Sequence, residues 1–445
     1  MTSLTAVDPA RIDALATELR TLLGEACVTT EAASLERASV DGAGMSPLIK
    51  ELLPLGRAQL VATPTSKDLI AATVAAAVRH GVPVTPRGKG TGNYGQGIPM
   101  GGGLVLDTSR ARRILDAGNG WIEAEAGAVI WAMEQHANRN QQQLWMYPST
   151  AQSTIGGFVA GGSGGTGSIA NGLLHQGFVL AVEVVHALPE PTVVRVEGAD
   201  AVPYLHNYGT AGIITAVRVG TEPAQPWRAL LASFPTYEQV VGLMRPLASL
   251  TPTPRLVSGD RAEIAACLPA DLAIPAGRAS LRAILDEASV ADATALIEAA
   301  GGTVDRVLEG AQHTVKLSMN SYNHPIEWLQ KSSAEPYFHV EVLGDALVDD
   351  LAAVEAVYPG GMLHIEAQRD RPIGMLAAPY VSPAQVLEGF DRLAALGVRT
   401  HNPHQWAVDF EPERTTALAA TTDPLGLLNP GKLGAVVHEH TGTQM

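Results

Sequence analysis

The chain has 445 residues, 46% hydrophobic and 17% charged, which suits two globular domains that each bury a core. A formal charge of −15 without any Lys/Arg cluster excludes nucleic acid as an expected partner. Cys27 and Cys267 form no disulfide framework or zinc spacing, the first residues do not resemble a secretion signal, and no apolar run spans a bilayer; the expected location is cytoplasmic.

The first residues carry helical periodicity. Gln59 to Pro64 reads as a strand, and Ser66 to His80 as an amphipathic helix capped by Ser66 and stopped by Gly81. Val82 to Thr85 is a second strand, and this βαβ-type opening runs into PRGKGTGNYGQG. From Gly101 to about Gly220 short strands alternate with glycine turns (LVLDTS, WIEAEAG, VLAVEVVHAL, TVVRVEG, IITAVRVG). Beyond Pro223 strands and helices alternate without glycine clusters, with helices expected over 237–250, 291–300, 348–357 and 383–396. The tail TTDPLGLLNPGKLG is turn-rich, and a frayed end follows it.

The 45 glycines are concentrated where a ligand would approach backbone closely. Gly90 to Gly95 matches GxGxxG after a strand, yet QGIPMGGG follows where a dinucleotide-binding helix should begin, so the Rossmann reading fails. Gly426 to Lys432 has P-loop spacing, but Leu433 replaces the metal-binding hydroxyl and too little chain remains for the helix. What remains is a pair of loops, Pro86 to Gly95 and Thr154 to Gly167, the second with seven glycines in fourteen residues. Their backbone N–H groups suit an anion, whereas flexible linkers seldom interleave Ile, Phe and Val.

With LVATPTSKDLIAATVAAAVRHGVPVTPRGKGTG, STIGGFVAGGSGG, NYGTAGIIT and DPLGLLNPGKL in that order, the chain resembles the vanillyl-alcohol-oxidase/p-cresol-methylhydroxylase flavoprotein superfamily, on the side of D-lactate dehydrogenase and the D-type component of glycolate oxidase. The resemblance implies an α+β fold: an FAD-binding domain over residues 1–222, with a small α/β lobe, a larger mainly β lobe and residues 405–445 packing back on it, and an α+β cap of antiparallel sheet and helices over 223–404. It implies FAD as cofactor. Pro86, Arg87, Gly88, Lys89, Gly90, Thr91 and Gly92 would meet the diphosphate, and Ser149, Thr150, Thr154, Gly156 and Gly157 the flavin and its ribityl chain. Gly161 would govern access to the ring, and Ile213 and Ile214 would meet the adenosine end. Thr91 stands where tethering relatives carry histidine, and no cysteine lies within Ser149 to Ser153, so noncovalent FAD is expected; a tether from a cap histidine stays open.

Oxidation by a flavin needs a base and a substrate clamp from the cap. Residues i and i+2 of a strand share a face, so His339 with Glu341, and His364 with Glu366, point together. In one sheet they would form a single titratable patch. Nearby in sequence are Arg369, a candidate carboxylate clamp, Tyr322–Asn323–His324, and the pair His401 and His404. For each, a satisfied structural group is the alternative, strongest for His401 and Glu341 and weakest for His364 with Glu366. The HxGDGNxH motif of metal-dependent relatives is absent; His339, His364 and a carboxylate are the lesser alternative, and no metal is assigned. The leading expectation is oxidation of a small alcohol, hydroxy acid or amine by hydride transfer to FAD, with O2 or a redox carrier as acceptor and small residues over Gly161 to Gly165 leaning towards an oxidase. A flavin-dependent cyclisation or carbon-bond cleavage, and a non-redox nucleotide-binding module, are the alternatives. The oligomeric state, including a homo-oligomer, is left open.

Overall fold

A computed structural model describes residues 6–188 and 190–434, so the end expected to fray, 435–445, lies outside the described residues. The helix Lys67–His80 starts where Ser66 Oγ accepts from Leu69 N–H and stops at Gly81, whose φ of 57° ends the turn. It crosses between two strands, Leu60–Ala62 and Val84–Arg87, which both run parallel to Leu104–Asp107 lying between them. Ile70, Val74 and Ala77 pack against Leu15 and Leu19 of the helix Pro9–Leu23. A second, six-stranded sheet is organised by the long strand Ile213–Pro223, flanked by Trp121–Glu125 and Val179–Val185.

The third sheet has eight strands drawn from residues 227–401, and all its pairings are antiparallel. One face carries Phe338, Val340, Leu363, Ile365 and Leu376 into a core shared with helices Val290–Ala299 and Pro383–Ala395. By alternation the opposite face is polar. His364, Met375, Glu341 and His401 stand in register across four adjacent strands of that face. The two His-x-Glu strands therefore do belong to one sheet, separated by Ile373–Pro379.

Two expected helices are interrupted. Residues 237–250 form Tyr237–Val241 and Met244–Ala248, because Pro246 has no N–H to give the Gly242 carbonyl and the hydrogen-bond ladder loses that rung. Residues 348–357 form Ala346–Asp349 and Leu351–Glu355, broken at Asp350, whose φ of −142° is not helical.

The polar face turns toward the first two sheets, and Arg255 bolts the eight-stranded sheet to the second of them. Its guanidinium donates to Glu134 Oε1 at 2.8 Å and to the Leu144 carbonyl at 2.8 Å, and it lies over the Tyr147 ring. The Arg255 carbonyl accepts from Gly167 N–H at 2.7 Å. Removing one partner of a buried pair strands the other's charge. Arg255→Met should therefore destabilise by about 3–5 kcal/mol in urea denaturation, and Arg255→Met with Glu134→Met should recover at least half of that.

Candidate active site

A cleft of about 970 Å³ opens between the glycine-rich segments and the polar face of the eight-stranded sheet, at the upper end of the size of small-molecule sites. All fifteen residues expected around the cofactor line it. The first glycine segment leaves strand Val84–Arg87 and folds over the Arg87 side chain, which donates to the Val40 carbonyl at 2.6 Å. Gly90, at φ 66°, leaves no room for a Cβ above that guanidinium, and a Cβ on Gly88 would collide with Thr154. The two glycine segments thus touch, and Thr91 Oγ1 and Ser153 Oγ join them at 2.8 Å.

The second segment is not the continuous loop expected. Ile155–Gly161 is a helix capped by Thr154, whose Oγ1 accepts from Gly157 N–H. Its glycines allow close packing on the sheet: a Cβ on Gly156 would lie 2.7 Å from that of Ala126. A backbone cradle that side chains would fill, crossed by no cysteine or histidine at Thr91 or Ser153, fits a diphosphate and a flat ring held without a covalent bond.

The tail closes the cradle from outside. Asn429 Nδ2 donates to the carbonyls of Gln96 at 2.9 Å and Tyr208 at 2.8 Å. Lys432, fully buried, donates to the Gly95 carbonyl at 2.5 Å. Burial brings its ammonium down to about 7 despite Asp41 nearby.

Where the glycine segment meets the sheet, charges gather. The Tyr94 hydroxyl donates to Glu341, and Asn323 Nδ2 donates to both, at 3.2 and 3.4 Å. His401 lies between Glu341 at 3.0 Å and Asp409 at 2.5 Å. Burial opposes the His401 charge, but the two carboxylates outweigh it and hold the imidazolium well above its ordinary range. Burial would likewise raise Glu341, yet His401 and Tyr94 bring it down to about 2. His206 Nδ1 donates to the Gly162 carbonyl at 2.8 Å, and its Nε2 is 3.7 Å from Asp409. His206, Tyr208 and Tyr322 all adopt positive φ, from 49° to 55°, beside the cleft.

Of the six expected catalytic residues, His324 and Arg369 line this cleft. His324 begins the helix His324–Ser332, its Nδ1 is buried without a hydrogen-bond partner, and burial lowers its pKa, so it is neutral at neutral pH. Arg369 is exposed at the rim. His364 and Glu366 lie outside the lining. His364 Nδ1 pairs with Asp260 at 2.7 Å and Nε2 with Glu366 at 3.0 Å. Burial is outweighed by these carboxylates, which raise His364 to about 9 and leave neither nitrogen able to accept a proton. His339 is buried with neither ring nitrogen hydrogen-bonded, and burial lowers it to about 4. The ring of His404 meets Ser46 Oγ at 2.7 Å. His339 and His404 lie outside the lining as well. The four groups of the two His-x-Glu strands share a face, but only Glu341 reaches the cleft. Sequence reasoning missed Tyr94, Asp409 and His206; a tyrosine inside a glycine segment was the available signal for the first. Among the described residues no group of three or more His, Cys, Asp or Glu is arranged to hold a metal, and no helix is long and apolar enough to cross a membrane.

Residues 58–196 match the family of FAD binding domains. An uncharacterised FAD-linked oxidoreductase of Mycobacterium tuberculosis is 28% identical over 192 residues, 40% of this chain and 41% of that one. D-lactate dehydrogenase of Archaeoglobus fulgidus is 27% identical over 193 residues, 41% and 43% of the two chains. Glycolate oxidase subunit GlcD of Escherichia coli is 30% identical over 194 residues, 41% and 38%. The matched stretch is about two fifths of the length of these curated relatives. Among solved structures, an alkyldihydroxyacetonephosphate synthase superposes with TM-score 0.75 at 14% identity, covering 97% of this chain and 87% of that one. Substrate-bound p-cresol methylhydroxylase superposes with TM-score 0.69 at 16% identity, covering 98% and 99%. At these identities the superpositions speak to fold, and the family match supports FAD as the cofactor.

The ion clusters set a pH window. A raised histidine contributes stability fully below its ordinary value of 6.5 and loses it as pH climbs through the folded value, about 9 for His364. A depressed carboxylate contributes fully above its ordinary 4.5 and loses it as pH falls, towards about 2 for Glu341. The urea-midpoint difference between the wild type and His364→Gln should therefore be largest below about pH 6.5 and shrink as pH climbs to about 9.

Proposed function

We propose that this chain is a flavin-dependent oxidoreductase of the p-cresol-methylhydroxylase type that oxidises a small alcohol, hydroxy acid or amine, with His324 receiving the substrate proton. The observation that carries the assignment is the state of the cleft histidines. His401 is an imidazolium held by two carboxylates, His206 directs Nδ1–H at a carbonyl, and His175, also lowered by burial, packs its ring against Phe410 with centroids 5.1 Å apart. His324 is neutral, lines the cleft, and follows Asn323, which touches Tyr94 and Glu341.

FAD supplies the acceptor for the hydride, that is, for the two electrons of the C–H bond. His324 takes the O–H or N–H proton as the carbonyl or imine forms. Tyr94, Asn323 and Glu341 make a rigid wall that orients the reacting group, and Arg369 at the rim meets any carboxylate the substrate carries. O2 or a redox carrier then removes the electrons. Absence of a tethering residue at Thr91 and Ser153 supports a noncovalent cofactor, and a cytoplasmic location completes the reading.

Acid precipitation should release FAD into the supernatant. Anaerobic mixing with a panel of alcohols, 2-hydroxy acids and amines should bleach the flavin with at least one of them. His324→Gln should slow that bleaching by about a hundredfold or more while FAD stays bound. A colourless purified protein sinks the flavin reading; wild-type bleaching in His324→Gln sinks the base.

A further inference from the structure

Behind the cleft wall lie four fully buried charged side chains: Arg282, Asp260, His364 and Glu366. Arg282 pairs with Asp260, His364 bridges Asp260 and Glu366, and Ser258 Oγ donates to both oxygens of Glu366 at 2.8 Å. With the histidine protonated the positive and negative charges balance. Such a network costs desolvation and seldom improves on a hydrophobic core, so its geometry asks for a purpose.

Two bonds leave the network for the segment that enters the cleft wall: Arg282 donates to the Asn320 carbonyl at 2.7 Å, and the other ends on Glu366. Glu366 Oε1 accepts from Tyr322 N–H at 2.8 Å. Tyr322 holds φ at 55°, and its hydroxyl donates to the Gly165 carbonyl of the second glycine segment at 2.7 Å. Asn323 and His324 follow at once, the first reaching Tyr94 and Glu341, the second lining the cleft.

We propose that Glu366 is a positioning residue: held by His364, Asp260, Arg282 and Ser258, its carboxylate fixes the Tyr322 backbone and thereby sets Asn323 and His324 against the cofactor segments. The inference rests on the reading that His324 serves the chemistry, but its geometric content stands apart from turnover. A carboxylate whose orientation is set by two neighbours gives a charge-assisted bond to a backbone N–H, stronger than a neutral one, and suits a residue that must hold an uncommon backbone conformation. His364 and Glu366 thus act through the segment 322–324 and not on substrate.

The test uses the FAD-loaded full chain and needs no substrate. In Glu366→Ala, hydrogen exchange of the Tyr322–His324 amides should rise at least tenfold while strand Ala279–Asp286 keeps its protection. The His324 ring, followed by NMR in histidine-labelled protein and assigned with His324→Gln, should titrate closer to the ordinary 6.5 as its enclosure loosens. Glu366→Gln keeps an acceptor for Tyr322 N–H, so exchange there should stay within threefold of wild type. If Glu366→Ala does not fold, Tyr322→Phe, which cuts the hydroxyl's bonds to the Gly165 carbonyl and to Gln368, must move the His324 titration in the same direction. Wild-type exchange and His324 titration in folded Glu366→Ala, or an unmoved titration in Tyr322→Phe, overturns the proposal. Neither outcome depends on whether His324→Gln slows bleaching, so the two readings fail separately.

Discussion

Arg255 determines how the eight-stranded sheet faces the glycine segments. A guanidinium cannot be deprotonated, so its burial between two halves of a chain requires partners on both sides. Glu134 and the Leu144 carbonyl supply them from the first half and the Trp227 ring from the second, while the Arg255 carbonyl takes Gly167 N–H from the second glycine segment. The cleft is what this closure leaves open. Its walls come from residues far apart in sequence, and a shift of the sheet by one strand register would exchange the polar face for the one carrying Val340 and Ile365.

Two further charge clusters occupy that polar face, and they differ in kind. Arg282, Asp260, His364 and Glu366 are sealed, with each charge answered inside the protein. Glu341, His401 and Asp409 are answered too, but they line the cleft and touch Tyr94 of the first glycine segment. Met375 lies in register between His364 and Glu341 and keeps the clusters apart. The sealed cluster can brace a loop, whereas the open one shapes the space where a substrate would sit. Both hold their histidine charged, which takes His364 and His401 out of contention as proton acceptors; of the lowered histidines on the cleft, His175 packs against Phe410, and His324 stands beside Asn323, Tyr94 and Glu341.

The glycine segments were legible in sequence because backbone approach leaves a compositional mark: only glycine fits at Gly88, Gly90 and Gly156 without displacing Arg87, Thr154 or Ala126. The helix Lys67–His80 was legible through its Ser66 cap and Gly81 stop. The helix Ile155–Gly161 was hidden by the same glycines that make it useful, since their low propensity argues for a loop and only packing on Ala126 overrides it. Strand Ile373–Pro379 passed unnoticed because IGMLAAP is buried on both faces and shows no alternation. Without that strand, the spacing of the two His-x-Glu pairs in the sheet could not be read.

Side-chain roles were less legible than backbone ones, for a reason the two His-x-Glu strands make plain. HVE and HIE are the same pattern with the same facing, yet His364 meets Asp260 and Glu366 while His339 meets no hydrogen-bonding partner. Opposite protonation follows: burial alone keeps His339 neutral, and burial with two carboxylates keeps His364 charged. A histidine's chemistry is therefore set by its neighbours across the sheet, which the local sequence does not name. His324 escapes this ambiguity because its place is fixed locally, at the start of a helix, on a segment whose tyrosine is held at both ends. The side chain best suited to accept a proton is thus one carried to the cleft by a braced backbone and kept neutral by burial.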